Sequence, residues 1–202
     1  YIPWSDYDSG PYMMLDARTG RLLNWNGKPL PEPPPTKAFN DIDGIPGNRE
    51  INTLGQMGFF REYGNSFKPN QPVTLVSFLR ALILARQGDK GVYELDDTEI
   101  LKRAKSFGWL SEDLAPTTPL NRATAGRIII RYLDLERVAR LQNTYLNHYD
   151  DIDKGDSFVG YAAILKGYKI MEGEGSKFSP SAVVSRADAA GFIFRMSRVS
   201  LK

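Results

Sequence analysis

Residues 178–188 read Phe-Ser-Pro-Ser-Ala-Val-Val-Ser-Arg-Ala-Asp, and this pattern, which decides the fold, occurs three times in the chain. Its landmarks return at residues 67–77 and 114–124: an apolar residue, Pro two positions later, an aliphatic residue four positions after that, and then Thr, Asn or Ser. The last residue is a good helix N-cap, because its side-chain oxygen accepts a hydrogen bond from an N–H of the first turn. An apolar stretch with helical spacing follows each copy. The pattern therefore predicts three helices, with Thr74, Asn121 and Ser185 as their N-caps.

A shorter helix is predicted before each of these loops. Its landmarks are two small or aliphatic residues at the spacing of one helix face, then Gly and an aromatic residue, where a left-handed cap would end the helix. The landmarks are Ile51, Leu54, Gly58 and Phe59, then Leu101, Ala104, Gly108 and Trp109, then Gly160, Ala163, Gly167 and Tyr168. An Asp-Ile-Asp turn precedes the first copy at residues 41–43 and the third at residues 151–153. The chain therefore contains a repeated helix–loop–helix unit, which we place at residues 38–88, 89–140 and 141–202.

The N-terminal part differs in composition. Residues 1–28 form a tail that is rich in aromatic residues and has a strand–turn–strand pattern, which predicts a β-hairpin with its turn at Asp16–Gly20. Residues 29–37 are a proline-rich linker, which favours an extended chain. Because the chain begins with Tyr1, we interpret it as a mature product or an excised fragment, which leaves room for upstream domains of the same polypeptide.

Composition excludes several classes of site. The 202 residues contain no cysteine and one histidine, His148, which removes disulfides, thiolate metal sites, cysteine nucleophiles and His-based triads. The net charge of +2 gives no indication of a nucleic-acid binder. No apolar run approaches the roughly 18 residues of a membrane span. We therefore expect no cofactor, no metal site and no enzymatic activity.

With these landmarks in register, the unit resembles the S-layer homology (SLH) domain, which usually occurs as three tandem copies. The family's most specific feature is a Thr-Arg-Ala-Glu-like sequence that opens the second helix. It stands here as residues 121–124 and 185–188, whereas residues 74–77 depart from it with Thr-Leu-Val-Ser. The resemblance implies an all-α fold of three helix–loop–helix repeats in a pseudo-threefold arrangement with clefts between them. Residues 16–20, Asp-Ala-Arg-Thr-Gly, also resemble the last hairpin of a PepSY-like module.

The resemblance implies a binding module. It would anchor an exocellular protein non-covalently at the bacterial cell surface, by binding secondary cell-wall polysaccharide that carries pyruvate ketals, or modified peptidoglycan. The alternative is a structural module for protein–protein assembly in which the glycan site has decayed. A wall hydrolase is disfavoured, because the chain lacks His and Cys chemistry.

The pyruvate ketal presents a carboxylate, which Arg binds in a bidentate fork. We expect Arg122 and Arg186 to bind it, beside unpaired N–H groups at the first turn of each helix. Trp109 and Tyr168 would stack on a sugar face, and Asp188 and Thr124 would contact its hydroxyl groups. Because position 75 is Leu, a cleft that relies on that position is predicted to be weak or silent.

For most of these candidate binding residues, a purely structural role is the alternative. Asp188 and Thr124 stand three residues after an N-cap, where a side chain can complete a capping box. Trp109 and Tyr168 follow a helix, where aromatic residues often belong to the core. Arg80 and Arg127 occupy equivalent positions, and surface salt bridges are expected for both. The Asp-Ile-Asp motifs lack the full order of a calcium loop, which favours turn chemistry.

Overall fold

The computed structural model describes residues 2–3, 12–15, 22–23, 37–141 and 143–199. The chain forms two compact units, residues 1–36 and residues 37–202. In the first unit, strands β1 (Ile2–Pro3), β2 (Tyr12–Leu15) and β3 (Leu22–Leu23) pair antiparallel in that order. The predicted turn at residues 16–20, which also carries the PepSY-like resemblance, and residues 29–36 of the linker lie outside the described residues.

The described part of the second unit is helical, which confirms the all-α class predicted for it. Its helices are α1 (Asn48–Gln56), α2 (Leu75–Gln87), α3 (Asp97–Ser106), α4 (Arg122–Tyr132), α5 (Glu136–Ala139), α6 (Val159–Gly167) and α7 (Arg186–Val199). A short 3₁₀ turn covers Arg61–Tyr63. The short α5 falls in the longer connection between α4 and α6.

Helices α2, α4 and α7 begin where the N-caps predict. The backbone N–H of Ser77 donates to Thr74 Oγ1 at 3.3 Å, and the N–H of Thr124 donates to Asn121 Oδ1 at 2.8 Å. The N–H of Asp188 donates to Ser185 Oγ at 3.1 Å. Each predicted cap thus binds the third N–H of its helix, so the three N-cap predictions are confirmed.

Three proline loops, defined as residues 67–74, 114–121 and 178–185, are joined to one another by backbone hydrogen bonds. The N–H of Val73 donates to the carbonyl of Val184 at 3.0 Å, Val184 donates to Leu120 at 2.8 Å, and Leu120 donates to Val73 at 3.1 Å. These bonds form a closed ring, and all three residues are buried. The ring therefore supplies partners to backbone groups that water cannot reach.

Each proline loop also provides carbonyl groups to the first turn of one of these helices. The first two N–H groups of α2 donate to Thr118 and Pro116, those of α4 to Ala182 and Pro180, and those of α7 to Gln71 and Pro69. The order is cyclic, because α2 contacts the second loop, α4 the third and α7 the first. The shorter helices follow the same order, with α3 packed on α2, α6 on α4 and α1 on α7.

The end of the third short helix is predicted two residues too early. After α3, Gly108 has a positive φ of 75° and precedes the buried Trp109, whose N–H donates to Ala104. Gly58 and Phe59 have the same arrangement after α1. After α6 the positive φ of 55° belongs to Lys169, and Ile170 makes the equivalent bond to Leu165. Ile170, and not Tyr168, is therefore the counterpart of Trp109.

The Asp-Ile-Asp turns hold the proline loops, in agreement with the prediction of turn chemistry. The carboxylate of Asp41 accepts hydrogen bonds from the N–H groups of Phe67 and Lys68 and from Ser66 Oγ, each at 2.8 Å. Asp151 accepts from the N–H groups of Phe178 and Ser179 at 2.8 and 2.7 Å. Desolvation raises the pKa of Asp41, but the hydrogen bonds outweigh it and hold the pKa below its ordinary value.

Replacement of Asp41 should therefore weaken the fold. We expect Asp41→Ala to lower the free energy of unfolding by about 1–3 kcal/mol, because the N–H groups of Phe67 and Lys68 lose their charged acceptor. The control is Asp43→Ala, which removes only an exposed pair with Lys37 and should cost at most about 1 kcal/mol. Denaturant unfolding measures both changes.

The pH dependence has a defined sign. Because the folded-state pKa of Asp41 is lowered, its contribution is complete above the ordinary aspartate pKa of about 3.9 and is lost as the pH falls through the folded-state value. The difference in stability between the parent chain and Asp41→Ala should shrink below about pH 4. A difference that stays constant down to acid unfolding would contradict this assignment.

Candidate functional site

The two arginines that open α4 and α7 reach the neighbouring proline loop. Arg122 donates from Nε to the carbonyl of Phe178 at 2.8 Å and from Nη2 to the carbonyl of Glu172 at 2.7 Å. Arg186 donates from Nη1 to the carbonyl of Phe67 at 3.0 Å, and its guanidinium lies 3.7 Å from the centroid of the Tyr63 ring. Both side chains therefore fasten one helix to the next loop, a role that the sequence did not indicate.

The prediction of unpaired N–H groups beside these arginines is wrong. The first two N–H groups of α4 donate to carbonyls of the third proline loop, and the third donates to the N-cap Asn121. The first turn of α7 is satisfied in the same way, with Ser185 as its cap. An anion at either helix start would therefore bind to guanidinium and side-chain donors and not to a free helix terminus.

Leu75 occupies the position of these arginines at the start of α2 and is fully buried. Its N–H donates to Thr118 in the second proline loop, which opens with Leu114 where the other two loops have Phe. The junction of α2 with that loop therefore has an aliphatic residue in place of the cation and another in place of the ring. That this junction is weak or silent in binding stays a prediction.

Asp188 and Thr124 both stand at capping positions. The Ser185 hydroxyl donates to Asp188 Oδ2 at 2.7 Å, and the Ser185 N–H donates to the same oxygen at 3.3 Å. Together with the bond from the Asp188 N–H to Ser185, this completes a capping box. Thr124 is half-buried, and its N–H is held by Asn121. Asp188 is exposed, so one face of its carboxylate remains accessible to a ligand.

Arg195, on α7, belongs to the same charged cluster, and the sequence reasoning missed it. Its Nε donates to the carbonyl of Ile170 at 2.9 Å. Desolvation lowers the pKa of Arg122, Asp188 and Asp151 raise it, and the charge of Arg195 lowers it further. Asp188 acts on both guanidinium groups, because its charge also raises the pKa of Arg195. The sequence does contain one indication of this residue. Gly191 stands where the other two long helices have Arg80 and Arg127, and the arginine of α7 follows one turn later, at Arg195.

Trp109 and Tyr168 are not equivalent, and only one of them is accessible. The Trp109 ring is fully buried between Phe107 and Tyr132, with ring centroids 4.8 and 5.2 Å away. Its prediction as a sugar platform is therefore wrong, and the core alternative applies. Tyr168 is 47% exposed and can still contact a ligand.

The expected salt bridge is confirmed for Arg80, which pairs with Asp97 although its own side chain is buried, and the expectation is wrong for Arg127. Arg80 is only 8% exposed and donates from Nη1 to the carbonyls of Val92 and Leu95 at 2.8 and 3.0 Å. It also lies 3.3 Å from Asp97. Arg127 makes no ion pair within the described part of the chain; its guanidinium lies over the rings of Phe158 and Tyr161.

Within the described residues, no three side chains of His, Asp or Glu are grouped so that they could hold a metal ion. No helix in that part is long and apolar enough to cross a membrane.

The different positions of the two aromatic residues lead to a direct test. We expect Trp109→Ala to destabilise the protein by about 3–5 kcal/mol, because it leaves a large cavity in the core. Tyr168→Ala should change the free energy of unfolding by about 0.5 kcal/mol or less, as is usual at the surface. Chemical denaturation of both variants checks this. Equal losses of stability would show that Tyr168 is also part of the core.

Comparison with known proteins identifies a family whose model matches some of the helices and proline loops described above. No curated protein matches the chain. The family model of the S-layer homology domain matches residues 38–75 and 148–190. The first match runs from the turn before α1 to the start of α2, and the second runs from the turn before α6 into the second turn of α7. S-layer homology domains are non-catalytic binding modules, and these two segments indicate association with the cell wall at a bacterial surface.

Proposed function

We propose that this chain anchors an exocellular protein non-covalently to the bacterial cell wall by binding a negatively charged wall glycan, a secondary polysaccharide with pyruvate ketals. In this proposal residues 38–88, 89–140 and 141–202 are three S-layer homology repeats in a pseudo-threefold arrangement. The two matched segments support it. The cyclic hydrogen bonds support it as well, because residues 114–124, which no family match covers, take the same place in the ring as the other two loops.

The observation that carries the proposal is the charged cluster at the junction of α4 and α7. Arg122 is half-buried, and the charge of Asp188 acts on both Arg122 and Arg195. Desolvation lowers the pKa of both arginines, and charges interact more strongly away from water. A bound carboxylate would favour the charged form of both arginines, and this is the group that a pyruvate ketal presents.

The roles follow from the remaining donors and acceptors. Arg122 uses Nε and Nη2 for loop carbonyls, which leaves Nη1 for the ligand carboxylate. Arg195 uses Nε for Ile170, which leaves its two terminal nitrogens. Asp188 accepts a hydrogen bond from a sugar hydroxyl on its exposed face, and Thr124, in the first turn of α4, borders the site. These groups are ordered before binding, which reduces the entropy that binding costs.

Arg186 supports a second, less charged site at the junction of α7 with the first proline loop. Its guanidinium is stacked on Tyr63, and its Nε is buried without a partner in the described residues.

A protein–protein assembly module is the alternative function. The observation that favours it is that both arginines already bind protein carbonyls.

Co-sedimentation with purified, protein-free wall sacculi tests the proposal, before and after the secondary polysaccharide is stripped. We expect pelleting that is lost on stripping and that Arg195→Gln weakens by about tenfold or more, because a charged contact is removed. Arg49→Gln, on the exposed side of α1, is the matched control and should pellet like the parent chain. Arg122→Gln and Arg186→Gln should also weaken pelleting, and their unfolding is measured in parallel because both residues hold loops.

Two outcomes would contradict the proposal. Pelleting that survives stripping would rule out the secondary polysaccharide as ligand. Pelleting that occurs only with walls that retain their proteins would support the assembly alternative.

A further inference from the structure

A cavity of about 600 Å³ lies between α4, α5 and α6, away from the charged cluster described above. This volume falls in the range of roughly 300–1,000 Å³ that is usual for ligand sites. Arg127, Arg131, Arg140, Asn143, Tyr145 and Lys154 contribute to its wall. Arg127 is five residues after Arg122 on α4, so the two side chains leave the helix about 140° apart.

The cavity arises where one connection is longer than its counterpart. Between α2 and α3 the chain needs only residues 88–96, and two carbonyls of that connection enclose Arg80. Between α4 and α6 the connection spans residues 133–158 and includes α5. The longer path leaves open space at Arg127, the counterpart of Arg80. Among residues 37–141 and 143–199, Arg127 has neither a carbonyl nor a carboxylate partner.

Aromatic rings hold the Arg127 guanidinium in place. Its central carbon lies 4.9 Å from the ring centroid of Phe158 and 5.5 Å from that of Tyr161. Both rings are buried, so the cation has a fixed, apolar backing on one side and the cavity on the other. Such a guanidinium keeps its donors free and pre-oriented for a planar anion.

The other charges of the wall do not neutralise it. Arg131 and Arg140 share the carboxylate of Glu136, each at 2.9 Å from Oε1, and the Tyr161 hydroxyl donates to the same oxygen at 2.9 Å. Asp156 uses Oδ1 to accept the N–H of Phe158 at 2.7 Å. The cavity therefore has an excess of positive charge, to which Arg127 and Lys154 contribute.

We propose that this cavity binds a carboxylate-bearing sugar unit, as a second glycan contact beside the one between α4 and α7. The carboxylate pairs with Arg127, and the hydroxyl groups bind to Asn143, Ser157 and Asp156, which converge on the cavity. The anionic part of the assignment rests on Arg127, and the saccharide part rests on the proposed function.

An ¹H–¹⁵N NMR titration of the full chain with glucuronate, glucose and inorganic phosphate tests the proposal. Glucuronate should shift the amide signals of Gly155 and Gly160 on the cavity wall, whereas glucose at the same concentration should not. Arg127→Gln should weaken glucuronate binding by about tenfold or more, because an ionic hydrogen bond is lost. Arg127→Lys keeps the charge but lacks the planar fork, so its affinity for glucuronate should lie between those of the parent chain and Arg127→Gln. Arg49→Gln should bind like the parent chain, and the dispersion of each spectrum reports folding.

Equal binding of glucose and glucuronate, or unchanged binding by both Arg127 variants, would overturn the proposal. Phosphate that binds as tightly as glucuronate would overturn the saccharide assignment. The titration needs no wall and does not involve Arg195. Loss of wall pelleting with intact titration would therefore count against the proposed function alone, and the reverse result against this cavity alone.

Discussion

The closed ring of hydrogen bonds among Val73, Leu120 and Val184 is the constraint on which the rest of the helical unit depends. These residues lie in loops and are buried, so their backbone groups need partners that a local turn does not provide. Once the ring is formed, the start of each long helix is fixed against another loop. The prolines suit this arrangement, because Pro69, Pro116 and Pro180 only accept hydrogen bonds here and lack an N–H that would need a partner.

The arginines show how structure and binding share one side chain. Arg122 binds the carbonyls of Phe178 and Glu172, so part of the donor set that suggests anion recognition is used to hold the fold. The Nη1 group of Arg122 remains for a ligand, and Asp188 acts on both Arg122 and Arg195 from the start of α7. Arg127 shows the opposite case. Its counterpart Arg80 donates to two carbonyls of a short connection, whereas the longer connection beside Arg127 places no carbonyl within reach of its guanidinium in the described residues. Arg127 therefore lacks the carbonyl partners of Arg80, and its guanidinium is held by the rings of Phe158 and Tyr161.

Local signals predicted well, and signals that depend on packing did not. The N-caps were predictable because each cap binds an N–H three residues away. The partners of the first two N–H groups come from distant loops, as with Leu75 and Thr118, so the sequence suggested free donors where there are none. The landmark Gly167 stayed inside α6, and Lys169 took the left-handed conformation, which moved Tyr168 out of register. Arg195 belongs to no repeated landmark and was therefore missed.

Closure of the ring also limits how such a chain can change in length. An open solenoid gains or loses units at its ends, because each unit contacts only its neighbours. Here the third loop binds the first, so no loop–helix unit is terminal and copy number is fixed by geometry. Length can then vary at low cost only in the connections outside the ring. The 133–158 connection follows this rule, since it adds a helix and a cavity and leaves all three ring bonds in place.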